Sequence, residues 1–269
     1  MPDCPTRLQG TRVLVTRPEH QNQHLSRLIE QAGGIAIQFP VLAIVASDNS
    51  RSINRKLSTT QIYDWIIFTS ANAVNYAIEM SKHQLPISDN TKIAAIGSRT
   101  AQSLQDYGIS VDLIPKNANS EGLLAALQMQ QIQHQQCLII KGEGGRSVLA
   151  ASLKQQGADV HTVDVYRRIC PDVNADNLLN QWQHEPINYV TITSIETLNN
   201  LISIIGIKGF RLLRDTTIVA LSKRVHDEAL SKGLPNVLTA TTISDAGIIE
   251  SIVMKQKIDL DSAPRVQSN

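Results

Sequence analysis

The sequence predicts two similar α/β units, each built on a parallel sheet with helices on both faces. One observation is a repeated motif, WIIFTSAN at Trp65–Asn72 and YVTITSIET at Tyr189–Thr197, in which an apolar run passes through Thr-Ser into a helix-like stretch. The two Thr-Ser pairs are 124 residues apart (193 − 69), and a similar offset persists downstream, which indicates an internal duplication. Short apolar runs also alternate with helical periods, as is typical of parallel sheets.

The predicted strands follow one another as short apolar runs. They lie near residues 12–16, 35–45, 64–69, 92–97, 111–114, 137–141, 159–167, 188–193, 216–221 and 236–239. Helical spacing of apolar residues fills most of the intervals, as at 21–31, 73–82 and 148–156. Glycines at 33, 34, 108, 157 and 233 follow helical patterns, where C-terminal caps are expected.

The further matches of the duplication predict how the domains are built. Residues 92–108 match 217–233, residues 119–127 match 243–252, and residues 12–34 match 137–158. The second copy has no counterpart of residues 137–158 after residue 243, and residues 12–34 at the start of the chain supply it. We predict a discontinuous domain of residues 1–40 and 168–255, an inserted domain of residues 46–162, linker strands at 41–45 and 163–167, and a flexible tail at 256–269. Paired linker strands would form a two-stranded ladder, a hinge that permits a ligand cleft to open and close.

Composition excludes several classes of protein. At 269 residues the chain has room for about two domains, and 42% hydrophobic residues suffice for packed cores. A net charge of +1 argues against nucleic acid or an anionic membrane surface as the main partner. No apolar run is long enough to span a bilayer, and the first ten residues lack a signal core. Cys4, Cys137 and Cys170 show no metal-ligand spacing, so we expect reduced thiols in the cytoplasm.

The repeated turns are the first candidates for chemistry. Ser70, Ser98, Ser194 and Ser222 each lie between a predicted strand and a predicted helix, where a serine usually caps the helix. The same position is also where open α/β sheets bind ligands, and helix N-termini there present free N–H groups to anions. Several such turns facing one cleft would bind carboxylates or phosphates without a basic patch. Singly they are caps; together they indicate an anion site.

Other candidates each have a plain structural alternative. KGEGGR at Lys141–Arg146 is either a glycine-rich turn or a carboxylate-binding loop, and Ser147 replaces the third glycine of a nucleotide fingerprint. Arg17 would sit at a sheet edge and either bind a carboxylate or form a salt bridge. Tyr166 is either a packing residue or a phenol that donates a proton. His20 and His24 share a helix face but have no third ligand, so no metal site is expected.

An ordered series of motifs resembles the uroporphyrinogen-III synthase family over nearly the whole chain to about residue 254. The motifs are LVTRP (Leu14–Pro18), FPVLAI (Phe39–Ile44), FTSANAV (Phe68–Val74), AAIGSRTA (Ala94–Ala101), NSEGLL (Asn119–Leu124), LIIKGEGGR (Leu138–Arg146), VDVYRR (Val163–Arg168) and VTITS (Val190–Ser194). No single motif is specific, but their order and spacing together are. The resemblance implies two flavodoxin-like α/β domains joined by a two-stranded ladder.

The resemblance also implies an activity. Members of this family are cofactor-free, monomeric, cytoplasmic lyases that cyclise hydroxymethylbilane, a linear polycarboxylate tetrapyrrole received from hydroxymethylbilane synthase. Loss of water from ring A gives an azafulvene, which attacks ring D, and a spiro intermediate then recloses with ring D inverted. The product enters haem, sirohaem and cobalamin biosynthesis. The alternative kept open is a two-domain protein that binds an anionic small molecule without catalysis, and a regulatory homologue without activity is a third.

Family roles transfer position by position. Tyr166 matches the linker tyrosine that assists loss of the ring A hydroxyl. The positions that match substrate-binding turns are Arg17, Ser70, Ala71, Asn72, Gly97, Ser98, Arg99, Thr100, Gly144, Arg146, Ser194 and Ser222. The second copy departs from the family pattern at Ile195, Glu196 and Val225, so threonines assigned there in other members do not transfer.

Overall fold

The computed structural model describes residues 8–128, 131–144 and 148–262. The chain divides into two compact units, residues 1–43 with 169–269 (the discontinuous unit) and residues 44–168 (the inserted unit). No helix in the described ranges is both long and apolar enough to cross a bilayer.

The discontinuous unit contains a parallel sheet with strand order β10-β9-β8-β1-β2. Its elements are β1 (Arg12–Val15), α1 (Glu19–Gln31), β2 (Ile35–Gln38), α7 (Asp176–His184), β8 (Tyr189–Ile192), α8 (Ile195–Asp215), β9 (Thr217–Ala220), α9 (Lys223–Ser231), β10 (Val237–Thr239) and α10 (Asp245–Ser262). Leu14 packs in one hydrophobic cluster, and its neighbours Val13 and Val15 pack in another. Both faces of the sheet are therefore covered, as the continuous apolar strands predict.

The inserted unit contains a second sheet, with strand order β3-β7-β6-β4-β5. Its elements are β3 (Ala43–Ala46), α2 (Ser50–Leu57), a 3₁₀ turn (Thr60–Ile62), β4 (Trp65–Phe68), α3 (Ala71–Met80), β5 (Lys92–Ala95), α4 (Ser98–Asp106), α5 (Ser120–Gln128), β6 (Gln136–Gly142), α6 (Val148–Gln155) and β7 (Asp159–Ile169). The β5, β4, β6 and β7 strands run parallel. Ile66 and Phe68 pack on one face, and Trp65 and Ile67 pack on the other.

The predicted α/β class with parallel sheets is thus confirmed, with differences in detail. Residues 111–114 form only an isolated bridge between Ala94 and Leu113. The Asp112 carboxylate accepts a hydrogen bond from the Ile93 amide at 2.7 Å, so this β5 donor is not available to a regular ladder. Pro115 follows and has no amide to extend one.

Two further differences concern the ends of elements. The apolar run at 35–45 forms two strands in different sheets, β2 and β3, rather than one. The α10 helix continues to Ser262, so residues 256–262 of the expected tail are helical, and residues 263–269 lie outside the described ranges. The predicted glycine caps are confirmed at Gly108 and Gly233, which follow α4 and α9 with φ of +75° and +81°.

Candidate functional site

The carboxyl ends of β4, β5 and β6 lie at one edge of the sheet in the inserted unit, because these strands are parallel. The chain runs from β4 outward to β5, and from β6 outward to β7 in the opposite direction. The point between β4 and β6 is therefore a topological switch point, where α/β sheets bind ligands. The predicted site residues of this unit follow these strands.

A cavity of about 490 Å³ lies at this switch point. Its volume falls within the range of about 300–1,000 Å³ found for small-molecule sites. Residues from the ends of several strands and the starts of α5 and α6 line it: Thr69, Ile96, Ser120, Ile139, Lys141, Gly142, Glu143, Leu149, Ala150, Thr162, Tyr166 and Arg168. The aliphatic members offer an apolar surface, and hydroxyl and charged groups offer specific contacts.

Tyr166 is the predicted catalytic residue, and it lines this cavity from β7. Its hydroxyl lies 3.2 Å from the Ser70 Oγ. Its ring stacks on Tyr76, with centroids 5.9 Å apart and planes at 26°. A Cβ added at Gly142 would come within 2.4 Å of the Tyr166 Cζ, so the ring lies against the bare backbone of that glycine. The phenol is therefore fixed from three sides.

Tyr76 is itself held in place from the next element. Its hydroxyl donates to the Ile44 carbonyl at 2.7 Å, which ties α3 to β3. Burial, and secondarily the Glu79 carboxylate, raises the pKa of Tyr76, so its hydroxyl stays protonated as a donor at neutral pH. Tyr76 therefore supports the Tyr166 ring as a rigid neighbour.

Ser70 is the N-cap of α3 and contacts Tyr166 at the same time. Its Oγ accepts from the Ala73 amide at 3.0 Å, as a capping serine does. The serine hydroxyl retains its own proton, which can point to the Tyr166 oxygen. Ala71 and Asn72 form the first turn of α3, where backbone amides face outward along the positive end of the helix dipole.

The α4 turn differs from the prediction in one residue. Gly97 is the N-cap and Ser98 is the first helical residue, and no side chain in the described ranges caps this helix. A Cβ at Gly97 would lie 2.7 Å from the Ala118 Cβ, so close packing requires glycine here. Ser98 and Arg99 are exposed and Thr100 is buried. The first-turn amides therefore lack a side-chain acceptor, which favours an anion at this terminus.

The glycine-rich loop after β6 is only partly described. Gly144 has φ of +67°, a conformation that favours glycine. Arg146 lies outside the described residues. The Glu143 amide donates to the Tyr166 carbonyl at 2.8 Å, and the Ser47 hydroxyl donates to the Glu143 carboxylate. The first bond ties the start of the loop to β7, which carries Tyr166, and the second ties it to the residue after β3.

In the discontinuous unit the predicted residues have internal partners. The Arg17 guanidinium forms an ion pair with Asp245, and both side chains are largely buried. Asp245 also contacts the His24 Nδ1 at 2.6 Å. Ser194 caps α8, accepting from the Thr197 amide at 3.0 Å and contacting its Oγ1 at 2.8 Å. Of the two predicted roles of Arg17, binding a ligand carboxylate or forming a salt bridge within the protein, the structure shows the salt bridge.

Ser222 precedes α9 as its N-cap, and within the described residues its side chain makes no capping hydrogen bond. Val225 is buried in the α9 first turns, at a position where the sequence departs from the family pattern. Ile195 and Glu196 open α8. The second set of turns therefore presents one capped and one uncapped helix terminus.

Sequence reasoning gave no individual role to several residues of this site. Tyr76, Gly142, Ser120 and the ion pair of Lys141 with Asp164 (2.6 Å) all contact or line the cavity beside Tyr166. Of these, Lys141 and Gly142 had a signal in the glycine-rich loop. Tyr76 had none, because its role depends on which face of α3 meets β7.

The model of one protein family, uroporphyrinogen-III synthase HemD, matches residues 23–250. The chain belongs to the uroporphyrinogen-III synthase family. The expectation from the motifs is therefore confirmed, and the family's place in tetrapyrrole biosynthesis agrees with it.

Individual relatives agree with this assignment. The chain is 30% identical to the uroporphyrinogen-III synthase of Proteus mirabilis over 193 residues, which cover 71% of this chain and 97% of that protein. It is 28% identical to the Escherichia coli enzyme over 249 residues, with coverages of 89% and 99%.

Solved structures share the fold. The synthase from Helicobacter pylori aligns with a TM-score of 0.62 at 15% identity, covering 91% of this chain and 99% of that one. A mutant synthase from Thermus thermophilus aligns with a TM-score of 0.59 at 16% identity, with coverages of 92% and 100%.

Proposed function

We propose that this chain cyclises hydroxymethylbilane to uroporphyrinogen III, with loss of water and inversion of ring D through a spiro intermediate. In this proposal it acts as a hydro-lyase. Family membership supports the reaction. The observation that carries the assignment of roles is the Tyr166 phenol, which lines a cavity at a switch point and lies 3.2 Å from the Ser70 hydroxyl.

Tyr166 serves as the proton donor in the first step. Its phenol gives a proton to the ring A hydroxyl as the carbon–oxygen bond breaks, and water leaves. The pyrrole nitrogen lone pair supplies the electrons, which gives the azafulvene in its N-protonated, cationic form beside the phenolate. The Ser70 hydroxyl then donates to the phenolate oxygen, which the positive end of the α3 dipole also stabilises. Proton transfer of this kind contributes roughly 10²-fold or more to a rate.

Helix termini bind the acidic side arms. The first turns of α3 (Ala71, Asn72) and α4 (Ser98, Arg99, Thr100) follow strands of one sheet at its carboxyl edge. Backbone amides at such helix N-termini are suited to bind anions. Gly97 and Gly144 allow the backbone to approach a ligand closely. Binding many carboxylates fixes a flexible chain in the geometry that leads to ring inversion. Positioning, more than acid–base chemistry, then accounts for the rate and the choice of isomer.

A duplicated architecture is part of the proposal. The inserted order β5-β4-β6-β7 corresponds to β9-β8-β1-β2 of the discontinuous unit at an offset of about 125 residues. Gly122 and Gly247 are 125 residues apart, and a Cβ added to either would come within 2.4 Å of a backbone oxygen. That oxygen belongs to Asn117 for Gly122 and to Thr242 for Gly247. The domain boundaries, the paired-strand linker, the monomeric cytoplasmic state, and transfer of substrate from hydroxymethylbilane synthase stay predictions.

The deciding experiment is incubation with freshly made hydroxymethylbilane, followed by oxidation and chromatographic separation of the isomers. We expect type III product at a rate above the uncatalysed closure, which gives the non-inverted type I isomer. Type I product alone would refute the proposal. A protein that binds without catalysis would instead show saturable binding and no acceleration.

A further inference from the structure

Lys141 forms part of the wall of the cavity beside Tyr166. It lies in β6 directly before Gly142, and its side chain is 17% exposed. Its Nζ is 2.6 Å from the Asp164 Oδ1 and donates to the Gly142 carbonyl at 3.3 Å. An ammonium carries three N–H donors, and these two contacts are the partners that the described residues supply.

The ion pair separates two cavities. Lys141 lines the cavity of about 490 Å³, whereas Asp164 lines a neighbouring cavity of about 300 Å³. Glu143 and Thr162 line both cavities. The positive member of the pair thus faces the larger cavity that contains Tyr166, and its counter-charge faces away. Because the cation borders the larger cavity, it can contact an anionic group bound there.

The strand geometry sets that polarity. Lys141 pairs with Asp164 in the ladder of β6 and β7, but the next pair is Gly142 with Tyr166, because the register shifts at this point. A bulge redirects the side chains that follow it, and bulges are common beside active sites. Here it brings the Tyr166 ring over Gly142 while Lys141 stays on the face of α5 and α6 with Ile139 and Leu149.

The surroundings of Lys141 match one pyrrole ring and its acidic arms. Ile96, Ile139 and Leu149 give an apolar surface for the ring, and the Ser120 and Thr69 side chains add polar groups. We propose that Lys141 binds the carboxylate of one tetrapyrrole side arm and thereby places that pyrrole ring against the Tyr166 hydroxyl. This inference rests on the proposed function, whose carboxylate contacts otherwise come from backbone amides.

The structural alternative is a cross-strand ion pair that only holds β6 to β7. A charge swap distinguishes this alternative from a carboxylate-binding role. The double variant Lys141→Asp, Asp164→Lys keeps opposite charges on the two strands but moves the cation toward the smaller cavity. We expect it to unfold close to the wild-type temperature yet to bind uroporphyrin III at least about tenfold more weakly, as expected for loss of a charge-assisted hydrogen bond. Wild-type affinity in a folded swap would overturn the proposal.

Single variants keep the test decisive if the swap fails to fold. We expect Lys141→Met to raise the Kd for uroporphyrin III by about tenfold, and Lys141→Arg to retain affinity within about threefold. The matched control is Lys92→Met, which removes the same charge from the start of β5, at the other edge of the sheet, where the ammonium lies over Trp65. Equal effects of the two methionine variants, or none from Lys141→Met, would contradict a specific contact.

Porphyrin titration, followed by quenching of porphyrin fluorescence, also keeps this inference separate from the proposed function. If the wild-type protein forms no type III isomer, the proposed function fails, while the titration still reports on Lys141. If the wild type is active but Lys141→Met has unchanged Kd and turnover, only the Lys141 assignment fails.

Discussion

The two units carry different residues at the carboxyl edges of their sheets. Gly142 and Ser120 border the cavity in the inserted unit. The positions 125 residues away, Arg17 and Asp245, carry an ion pair in the discontinuous unit. Small residues therefore border a cavity in one unit. In the other, a largely buried ion pair joins a residue just after β1 to the first residue of α10. Similar strand orders can therefore accompany different residues at this edge, small ones beside a cavity in one unit and an ion pair in the other.

Two further segments, β7 and the residues that follow β2, show a similar contrast. Tyr166 in β7 lies 125 residues after Val41. Val41 is buried in the hydrophobic cluster of the discontinuous unit that also contains Leu14. The Val41 carbonyl accepts from the Asn200 amide group at 2.9 Å. The inserted unit thus places a phenol in β7 beside the cavity, whereas the discontinuous unit places a packing residue shortly after β2. The chemistry of the proposed reaction is therefore concentrated in the inserted unit.

Copying the ion pair into the inserted unit gives the largest expected effect. In Ser120→Asp, Gly142→Arg, the arginine side chain displaces the Tyr166 ring and fills the cavity. We expect turnover to fall by about 10³-fold or more, since both positioning and proton donation are lost. The isomer assay measures the loss, and Ser120→Asp alone is the control that keeps Gly142. Circular dichroism must show a folded protein, and high activity in a folded double variant would contradict the comparison.

Tyr166→Phe tests the phenol alone. The ring keeps its place between Gly142 and Tyr76, and only the hydroxyl near Ser70 is removed. We expect turnover to fall about 10²-fold, while affinity for the product stays within about threefold. Tyr76→Phe is a matched control, because it removes a partly buried hydroxyl that bonds to Ile44 rather than one that lines the cavity. Unchanged turnover in Tyr166→Phe would remove its assigned role.

The capping serines allow a matched pair of variants. Ser70→Ala and Ser194→Ala each remove a side-chain cap at a helix N-terminus, so each should lower the free energy of unfolding by about 1 kcal/mol. Only Ser70 contacts Tyr166 as well. We therefore expect about a tenfold loss of turnover for Ser70→Ala, from loss of one hydrogen bond, and at most about threefold for Ser194→Ala. Equal kinetic effects would show that the two turns contribute alike.

These features differ in how far the sequence could predict them. The caps Ser70 and Ser194 and the glycines after α4 and α9 were predictable, because each depends on a few neighbouring residues. The strand at 111–114 was not, since the Asp112 side chain binds the Ile93 amide and limits the ladder to one bridge. Local apolar pattern carries no information about such a bond.

Long-range pairs were the least predictable part of the site. Arg17 and Asp245 are far apart in the sequence, and nothing in either motif indicates that one neutralises the other. The stacking of Tyr76 on Tyr166 likewise depends on how α3 packs against β7. The family resemblance indicated which residues matter, and their partners required the packed structure.

Asp245→Asn tests whether the ion pair restrains Arg17. The neutral amide keeps the size of the side chain but releases most of its attraction for the guanidinium. We expect the affinity for uroporphyrin III to rise by about threefold, as one more cation becomes available for a carboxylate. The control, Asp227→Asn, breaks an exposed i,i+4 pair with Lys223 in the same unit. Unchanged or weaker binding by Asp245→Asn would show that Arg17 is a purely structural residue.

A last contrast, which affects stability rather than activity, lies near the starts of β6 and β1. Cys137 in β6 is fully buried, whereas Arg12, at the equivalent place in β1, forms an ion pair with Glu185 at 2.7 Å. Burial, and secondarily the carboxylates of Asp64 and Asp159, raises the pKa of Cys137 from 9.0 to about 12. The unfolded chain therefore releases this proton at lower pH than the folded protein does.

The sign of the pH dependence follows from that difference. The contribution of Cys137 to stability is fully present below pH 9 and is lost as the pH rises from about 9 to 12. Between pH 8 and pH 10 we expect the wild type to lose about 1 kcal/mol more unfolding free energy than Cys137→Ala does. Urea titrations at the two pH values measure this. An equal pH dependence in both proteins would contradict the raised pKa, and Cys170→Ala, an exposed cysteine, should behave like the wild type.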